Sequence, residues 1–192
     1  MNDCKLNIGD YTGMSGVGCT CLLKIKKQYS NGDEYCGEIN DVGQRYGYGV
    51  YHWSNGGIYL GEWRNNTCTG EGIYRAINGD IYRGRFINGL IYDQGSRTSF
   101  DGHQYIGDYL FGRSEGHGTY RWPNGDNYVG SWMNNDRTGN GVYIWANDDR
   151  YEGEFLCGEL HGSGRFQCSN GKKLEGQWIH GIYIKTSSSS ME

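Results

Sequence analysis

Tyr59-Leu60-Gly61-Glu62-Trp63 is followed by Gly70-Glu71-Gly72-Ile73-Tyr74 and then by Asn78-Gly79. Residues 59, 61 and 63 alternate with 60, 62 and 64. That period of two reads as a strand with its rings and its glycine on one face. The segment from Gly70 to Tyr74 alternates in the same way and reads as a second strand. Asn78-Gly79 favours the two positive φ angles of a type I′ hairpin turn. The unit is therefore a β-hairpin.

The unit recurs along the chain. Tyr35-Cys36-Gly37-Glu38-Ile39 is a near match, and full matches start at Tyr59, Tyr82, Tyr105, Tyr128 and Tyr151, with Leu174 heading the last copy. The first spacing is 24 and every later one is 23. A Gly-x-Gly follows in most units: Gly47/Gly49, Gly70/Gly72, Gly116/Gly118, Gly139/Gly141 and Gly162/Gly164. Two residues beyond it stands a ring, Tyr51, Tyr74, Tyr120, Tyr143 or Phe166. The unit headed by Tyr82 departs, with Asp93, Gly95 and Arg97 at these places. The turn dipeptides are Asn31-Gly32, Asn55-Gly56, Asn78-Gly79, Asp101-Gly102, Asn124-Gly125, Asn147-Asp148 and Asn170-Gly171. At the other end of each hairpin Asn66, Gly89, Gly112, Asn135, Gly158 and Gly181 share one offset and also tolerate left-handed φ. A repeat at fixed period is the first thing a sequence reading must settle, and here it settles the fold.

Composition agrees. The chain has 192 residues, with 34 Gly, one Pro, and 28 Phe, Trp and Tyr rings. Collagen is excluded, because no Gly-X-Y period and almost no proline are present. A flexible linker is excluded by the number of rings. A single-layer sheet has no second layer to cover those rings. The reading is that each ring lies across the Cβ-less glycines of a neighbouring strand, making an aromatic spine. The opposite face, mixing charges with a few aliphatics such as Ile73 and Val142, is expected to be mostly solvated. The fold class is all-β: an elongated open antiparallel meander of about 14–16 strands in one twisted sheet, on the order of 70 Å long. Residues 1–34 read as a degenerate cap, with strand-like Leu22-Leu23-Lys24-Ile25. Residues 35–182 read as the array, and 183–192 as a disordered tail.

These residues resemble the MORN repeat, a unit of roughly 23 residues written Tyr-x-Gly-x-Trp…Gly-x-Gly. The likeness runs over about 35–182. Ile39, Asp93, Arg97, Asp148 and Leu174 depart from the pattern. The resemblance implies an extended sheet curved into a groove. It implies a module for protein association, or for placing proteins at membranes or cytoskeletal structures. Some members carry a lipid-kinase or methyltransferase domain, for which about 34 residues before the array and ten after it leave no room.

Charge and motifs narrow the function. Eighteen basic against 22 acidic residues give a net charge of −4, which argues against nucleic acid as a partner. No secretory leader or apolar run of membrane-spanning length is visible, and seven Cys at irregular positions read as reduced thiols of a cytoplasmic chain. The Gly-x-Gly runs keep one phase of a strand repeat and lack the strand-to-helix context of a dinucleotide site. Gly162-Ser163-Gly164 is a repeat position rather than a nucleophile elbow. The five His stand at scattered phases, and Cys19-Thr20-Cys21 lacks a second ligand pair for zinc. Cys157 and Cys168 fall on neighbouring strands and read as a free pair. Glu62, Glu71, Asp108, Glu115, Glu152 and Glu154 read as surface charge. The expectation is no catalytic, cofactor or metal site.

Trp63, Trp132 and Trp178 hold the first-strand ring position and read as spine. Trp53, Trp122 and Trp145 stand two residues past the second-strand ring, beside the turn. There they either close the ring row or stay uncovered as binding anchors. The candidate partner site is Trp53, Trp122 and Trp145 with Tyr74, Tyr120 and Tyr143. It would take a protein helix or an extended segment, while the end strands would allow self-association. The alternative is a phosphoinositide or anionic-lipid binder, using Lys24, Lys26 and Lys27 near the start and Lys172, Lys173 and Lys185 near the end. The expected location is the cytoplasm, at the cytoskeleton or the inner membrane surface.

Overall fold

The structure is a computed structural model and describes residues 25–184. These form fifteen strands: β1 (Ile25–Gln28), β2 (Glu34–Ile39), β3 (Arg45–His52), β4 (Ile58–Arg64), β5 (Thr67–Arg75), β6 (Ile81–Ile87), β7 (Leu90–Thr98), β8 (Gln104–Leu110), β9 (Arg113–Arg121), β10 (Asn127–Met133), β11 (Asp136–Ile144), β12 (Arg150–Leu156), β13 (Glu159–Gln167), β14 (Lys173–Ile179) and β15 (Ile182–Ile184). They make one open sheet in strict sequence order, every neighbour antiparallel. The strand count falls inside the sequence expectation. The sheet reaches back to Ile25 and on to Ile184, beyond both ends of the expected array. The strand expected around Leu22–Ile25 begins at Ile25. Residues 22–24 lie outside the described part, as do the expected tail beyond Ile184 and Lys185.

The two glycines of each Gly-x-Gly have different tasks. The first sits in a bulge. Gly61 pairs with Gly72 and Glu62 with Thr69, so Gly70 and Glu71 have no opposite number on β4, although they pair with Phe86 and Arg85 of β6. Gly70 takes φ +57, and Gly47, Gly116, Gly139 and Gly162 repeat the left-handed conformation. Asp93, at the same place, also has φ 65, which Asp tolerates better than most residues. The second glycine seats a ring. A Cβ on Gly141 would lie 2.5 Å from the Tyr128 ring, and one on Gly72 2.5 Å from the Tyr59 hydroxyl. Tyr35, Tyr59, Tyr128 and Tyr151 are completely buried there. Each hydroxyl is satisfied by the carbonyl three residues on, as in Tyr128 Oη donating to Ser131 O (3.0 Å) and Tyr105 Oη to Asp108 O (2.9 Å). Burial pushes the Tyr105, Tyr128 and Tyr151 hydroxyls up to about 12.

The turns correct one expectation. Asn-Gly does not form the type I′ turn. Gly56 N donates to Trp53 O and Trp53 N to Gly57 O (both 2.9 Å), and only Gly56 has positive φ. This is a three-residue loop, a type I turn closed by a left-handed glycine. Asn55 Oδ1 braces it from within by accepting from Gly57 N. The type I′ turns lie at the other edge, where both central residues have positive φ: Asn65-Asn66, Asn88-Gly89, Phe111-Gly112, Asn134-Asn135, Cys157-Gly158 and His180-Gly181. The first unit differs there. Asn40 to Gln44 makes a longer loop, with Asn40 N bonded to Gln44 O. Ile39 pairs with Arg45 across five residues, where Trp63 pairs with Cys68 across four, and this extra residue accounts for the initial spacing of 24.

Candidate functional site: the ring face

Two rows of rings run along one face. The inner row is edge-to-face: Tyr59 meets Trp63 at 5.3 Å and Phe86 at 5.2 Å. Tyr128 meets Trp132 at 5.4 Å and Phe155 at 4.9 Å, and Tyr151 meets Trp178 at 5.1 Å. Trp63, Trp132 and Trp178 are buried, the spine role their position gave them. Indole Nε1 of Trp63 and Trp132 donates to the Gly49 and Gly118 carbonyls.

The outer row holds the candidate partner residues. Trp53 lies between Tyr51 (4.9 Å) and Tyr74 (5.7 Å). Tyr120, Trp122, Tyr143, Trp145 and Phe166 follow one another at 4.5, 5.2, 4.6 and 5.3 Å. The three Trp, Tyr74 and Tyr120 are half-buried, so each is packed along the row and still partly open. Tyr143 is buried and its hydroxyl donates to Asp126. It therefore supports the surface from beneath. Arg137 lies among these rings, 5.3 Å from the Trp122 centroid and 5.2 Å from that of Tyr143.

Aspartates two residues before the repeat tyrosine tie successive turns together. Asp33 accepts from Tyr51 Oη (2.6 Å) and Ser54 N (2.8 Å), and Asp126 from Tyr143 Oη (2.6 Å) and Ala146 N (2.9 Å). Asp149 accepts from Ser169 N, with Phe166 at the ring position. The sequence reading did not single these out, although Asp at one repeat phase was the available signal. The Tyr51 hydroxyl, then the Ser54 amide, lowers the Asp33 carboxyl to about 2. The Tyr143 hydroxyl likewise holds Asp126 below its usual range. A carboxyl depressed in the fold stabilises it above its unfolded value, and that contribution is lost as pH falls through the folded value. Thermal unfolding midpoints are thus expected to fall between about pH 4 and about pH 2. Asp33→Asn should flatten that segment of the profile; an unchanged profile would remove this clamp from the account.

The unit headed by Tyr82 breaks both rows. Ser99 stands where three other units place Trp, as Ala76 does in the preceding unit, and Arg97 where the others place Tyr or Phe. Arg97 makes a forked pair with Asp80 (3.0 and 2.7 Å), and Phe100 N also donates to Asp80. Burial pulls the Asp80 carboxyl up, but Arg97 and the amide outweigh it and hold it low. The ring seat over Gly95 is taken by Ile91, whose Cδ1 is 2.6 Å from where a Cβ would be. Tyr82 instead stacks on Tyr74 at 6.1 Å and is half-exposed, a departure from the expected tyrosine series. Ile77 and Phe100 project from the adjoining turns, 70% and 85% exposed.

Other expectations resolve as follows. Glu62, Asp108 and Glu154 are not idle surface charge: they accept from the bulge amides of Glu71, His117 and Ser163 (3.0, 2.7 and 2.9 Å). Val50 and Ile73 are buried on the face opposite the rings, which is therefore not uniformly solvated; the two flank Leu60 in register. Cys68, Cys157 and Cys168 are free. Cys157 and Cys168 sit in the turns at the two ends of β13, so the strand itself keeps them apart. Cys36 is disulfide-bonded, which corrects the expectation of reduced thiols throughout. Lys26 pairs with Glu34 (3.9 Å) and Lys27 lies over the Tyr29 ring, while Lys172 and Lys173 are exposed at the start of β14. The two clusters are thus about 60 Å apart along the sheet. Lys24 lies outside the described residues.

A model of the MORN repeat matches residues 43–58, 59–81, 105–127, 128–150 and 151–173. The gap at 82–104 is the unit in which Tyr82 leaves its seat. Among solved structures, the chain is similar to the TCP domain of SAS-4 (dCPAP) of Drosophila melanogaster in complex with a proline-rich motif of Ana2 (dSTIL). Identity is 12%, the TM-score is 0.50, and the match covers 80% of this chain and 83% of that one. The wild-type TCP10 domain of Danio rerio CPAP matches at 14% identity over 80% and 83% of the two chains, with a TM-score of 0.27. No curated protein matches the chain.

Proposed function

The chain belongs to the MORN-repeat family, and from that premise we propose that it is a non-catalytic scaffold whose ring face holds an extended, proline-rich protein segment. The observation that carries this reading is the spacing of the outer-row tryptophans. Trp122 and Trp145 recur once per hairpin, two strands apart, or about 9.6 Å at the usual strand separation. A polyproline II segment advances about 9.3 Å in each three-residue turn. A segment crossing the strands would bring one apolar residue per turn onto each Trp. An α-helix, with a pitch of about 5.4 Å, matches less well. Such segments dock on aromatic-lined surfaces and surrender little conformational entropy in doing so. The related sheet of the fly SAS-4 domain, seen with a proline-rich motif, supports the same class of ligand. A cytoplasmic place at a cytoskeletal structure belongs to this proposal. So does self-association through end strands, for which β15, last in the sheet among the described residues, offers an edge.

The test is a tryptophan-fluorescence titration with a peptide carrying proline at every third position and with a proline-free control. The expectation is selective binding, weakened at least about tenfold in the Trp122→Ala/Trp145→Ala double variant. Equal binding by the double variant would remove the ring face as the site. Absent peptide binding together with sedimentation on anionic vesicles, lost in Lys26→Glu/Lys27→Glu, would replace this reading with the membrane one.

A further inference from the structure

Arg97 and Arg137 both lie among the rings of this face, and only one of them has a counter-ion. Arg97 is forked onto Asp80. Among the described residues, no carboxylate stands within ion-pair distance of Arg137. Burial pulls both guanidinium groups down; Asp80 outweighs it and lifts Arg97 above its ordinary value, whereas Arg137 falls below its own. Arg137 is held by rings and by neutral oxygens. Its Cζ stands between 5.2 and 5.7 Å from the centroids of Trp122, Tyr128, Tyr143 and Phe155. Its Nη2 donates to Gly158 O, and the Tyr143 hydroxyl adds a second acceptor. Asp126 does not serve it, because that carboxylate is taken up by Tyr143 Oη and Ala146 N. A guanidinium has five N–H donors in a rigid fork, so part of this one is left over.

The fold does not need a charge here. Arg137 pairs with the inner-row ring of Trp132. Cys68, Ile91, Ser114, Leu160 and Tyr183 hold the same place opposite Trp63, Phe86, Tyr109, Phe155 and Trp178. Five uncharged side chains thus fill the position that Arg137 fills with a cation. Buried charges are normally paired, and the pair of this one is missing from the described residues.

Its place says where an anion would come from. Trp122 follows β9 and Trp145 follows β11, while the guanidinium touches Trp122, Tyr128 of β10 and Tyr143 of β11. It therefore lies in the interval between the two indoles, half-buried and still reached by solvent. We infer that the segment bound on the ring face carries an acidic side chain between the two residues that sit on Trp122 and Trp145, and that its carboxylate is held by the remaining fork of Arg137. The inference rests on the ring-face reading and adds a charge to the ligand. A polyproline II helix has three residues per turn, so when the first and fourth face the indoles the second and third turn to its flanks. Arg137 springs from the start of β11, the end away from the Trp loops, and so meets one of those flanks. A planar guanidinium can take a carboxylate with two parallel hydrogen bonds while its faces stay against aromatic rings. Arg137 can thus bind the acid without leaving its place. Arg97, already neutralised by Asp80, offers no such seat.

The experiment is calorimetric titration of the full chain with three peptides that differ only between their prolines: Pro-Glu-Glu-Pro, Pro-Gln-Gln-Pro and Pro-Lys-Lys-Pro. Wild type is expected to bind the acidic peptide at least about tenfold more tightly than the glutamine one, and the lysine one most weakly. In Arg137→Gln, with circular dichroism unchanged, the acidic and glutamine peptides should bind alike. Arg137→Lys, which keeps the charge and loses the fork, should retain part of the preference. Equal binding of the acidic and glutamine peptides by wild type would overturn the inference and leave the ring face as a surface that reads proline alone. So would a preference that survives Arg137→Gln in full. So would a variant that weakens both peptides by the same factor, the mark of a residue that only props the rings. Binding of none of the three would overturn the ring-face reading itself, and this inference with it.

Discussion

Tyr128→Ala is expected to lower the unfolding free energy by about 3–5 kcal/mol, the range for deleting a large buried ring from a core. Tyr128 has no exposed surface, and its ring is covered by Trp132, Phe155 and the backbone of Gly130 and Gly141. A single-layer sheet has little with which to refill that space. The loss should also spread, because the outer row rests on the inner one: Trp132 lies 5.8 Å from Tyr120. Chemical denaturation followed by tryptophan fluorescence reads the effect. A loss below about 1 kcal/mol, the level of an ordinary surface change, would mean that the seat contributes little.

Arg97→Ala is expected to destabilise by about 1–3 kcal/mol, because it leaves the Asp80 carboxylate, 5% exposed, without its charged partner. Arg97→Tyr should recover most of that loss. Tyr51 and Tyr143 serve Asp33 and Asp126 from the same repeat position, so a tyrosine hydroxyl can reach that carboxylate. Failure of tyrosine to do better than alanine would show that the unit headed by Tyr82 is built on different lines from its neighbours, and not merely resubstituted.

Much of this was legible in the residues. Tyr-x-Gly alternation and the 23-residue period gave the strands, their order and the face that carries the rings, because a two-residue period leaves no freedom about which side chains share a side. The turn assignment failed at Asn55-Gly56, since Asn-Gly suits both a type I′ turn and a three-residue loop closed by glycine. The choice is made by the strand register around it. Tyr82 could not be placed correctly either. Its own motif is intact, and its displacement is caused by Ile91 and Arg97 on the next strand. In the ring face, phase placed Trp122 and Trp145 beside the turns, whereas the burial of Tyr143 was not legible because it depends on Asp126 across the sheet. The aspartate clamps were periodic too, two residues before Tyr35, Tyr82, Tyr128 and Tyr151. They went unread because a lone polar residue at one repeat phase carries no motif of its own.

The central claim is that a ring seated on bare glycine holds this sheet together. It is tested most directly by substituting Gly141→Ala in the wild-type chain and again in Tyr128→Ala. The three atoms nearest a Cβ at Gly141 all belong to Tyr128. In the wild type the change should destabilise by about 1–3 kcal/mol, as overpacking does. With the ring gone it should be neutral or gain up to about 1 kcal/mol, as alanine does over glycine in a strand. An equal loss in both backgrounds would contradict the account.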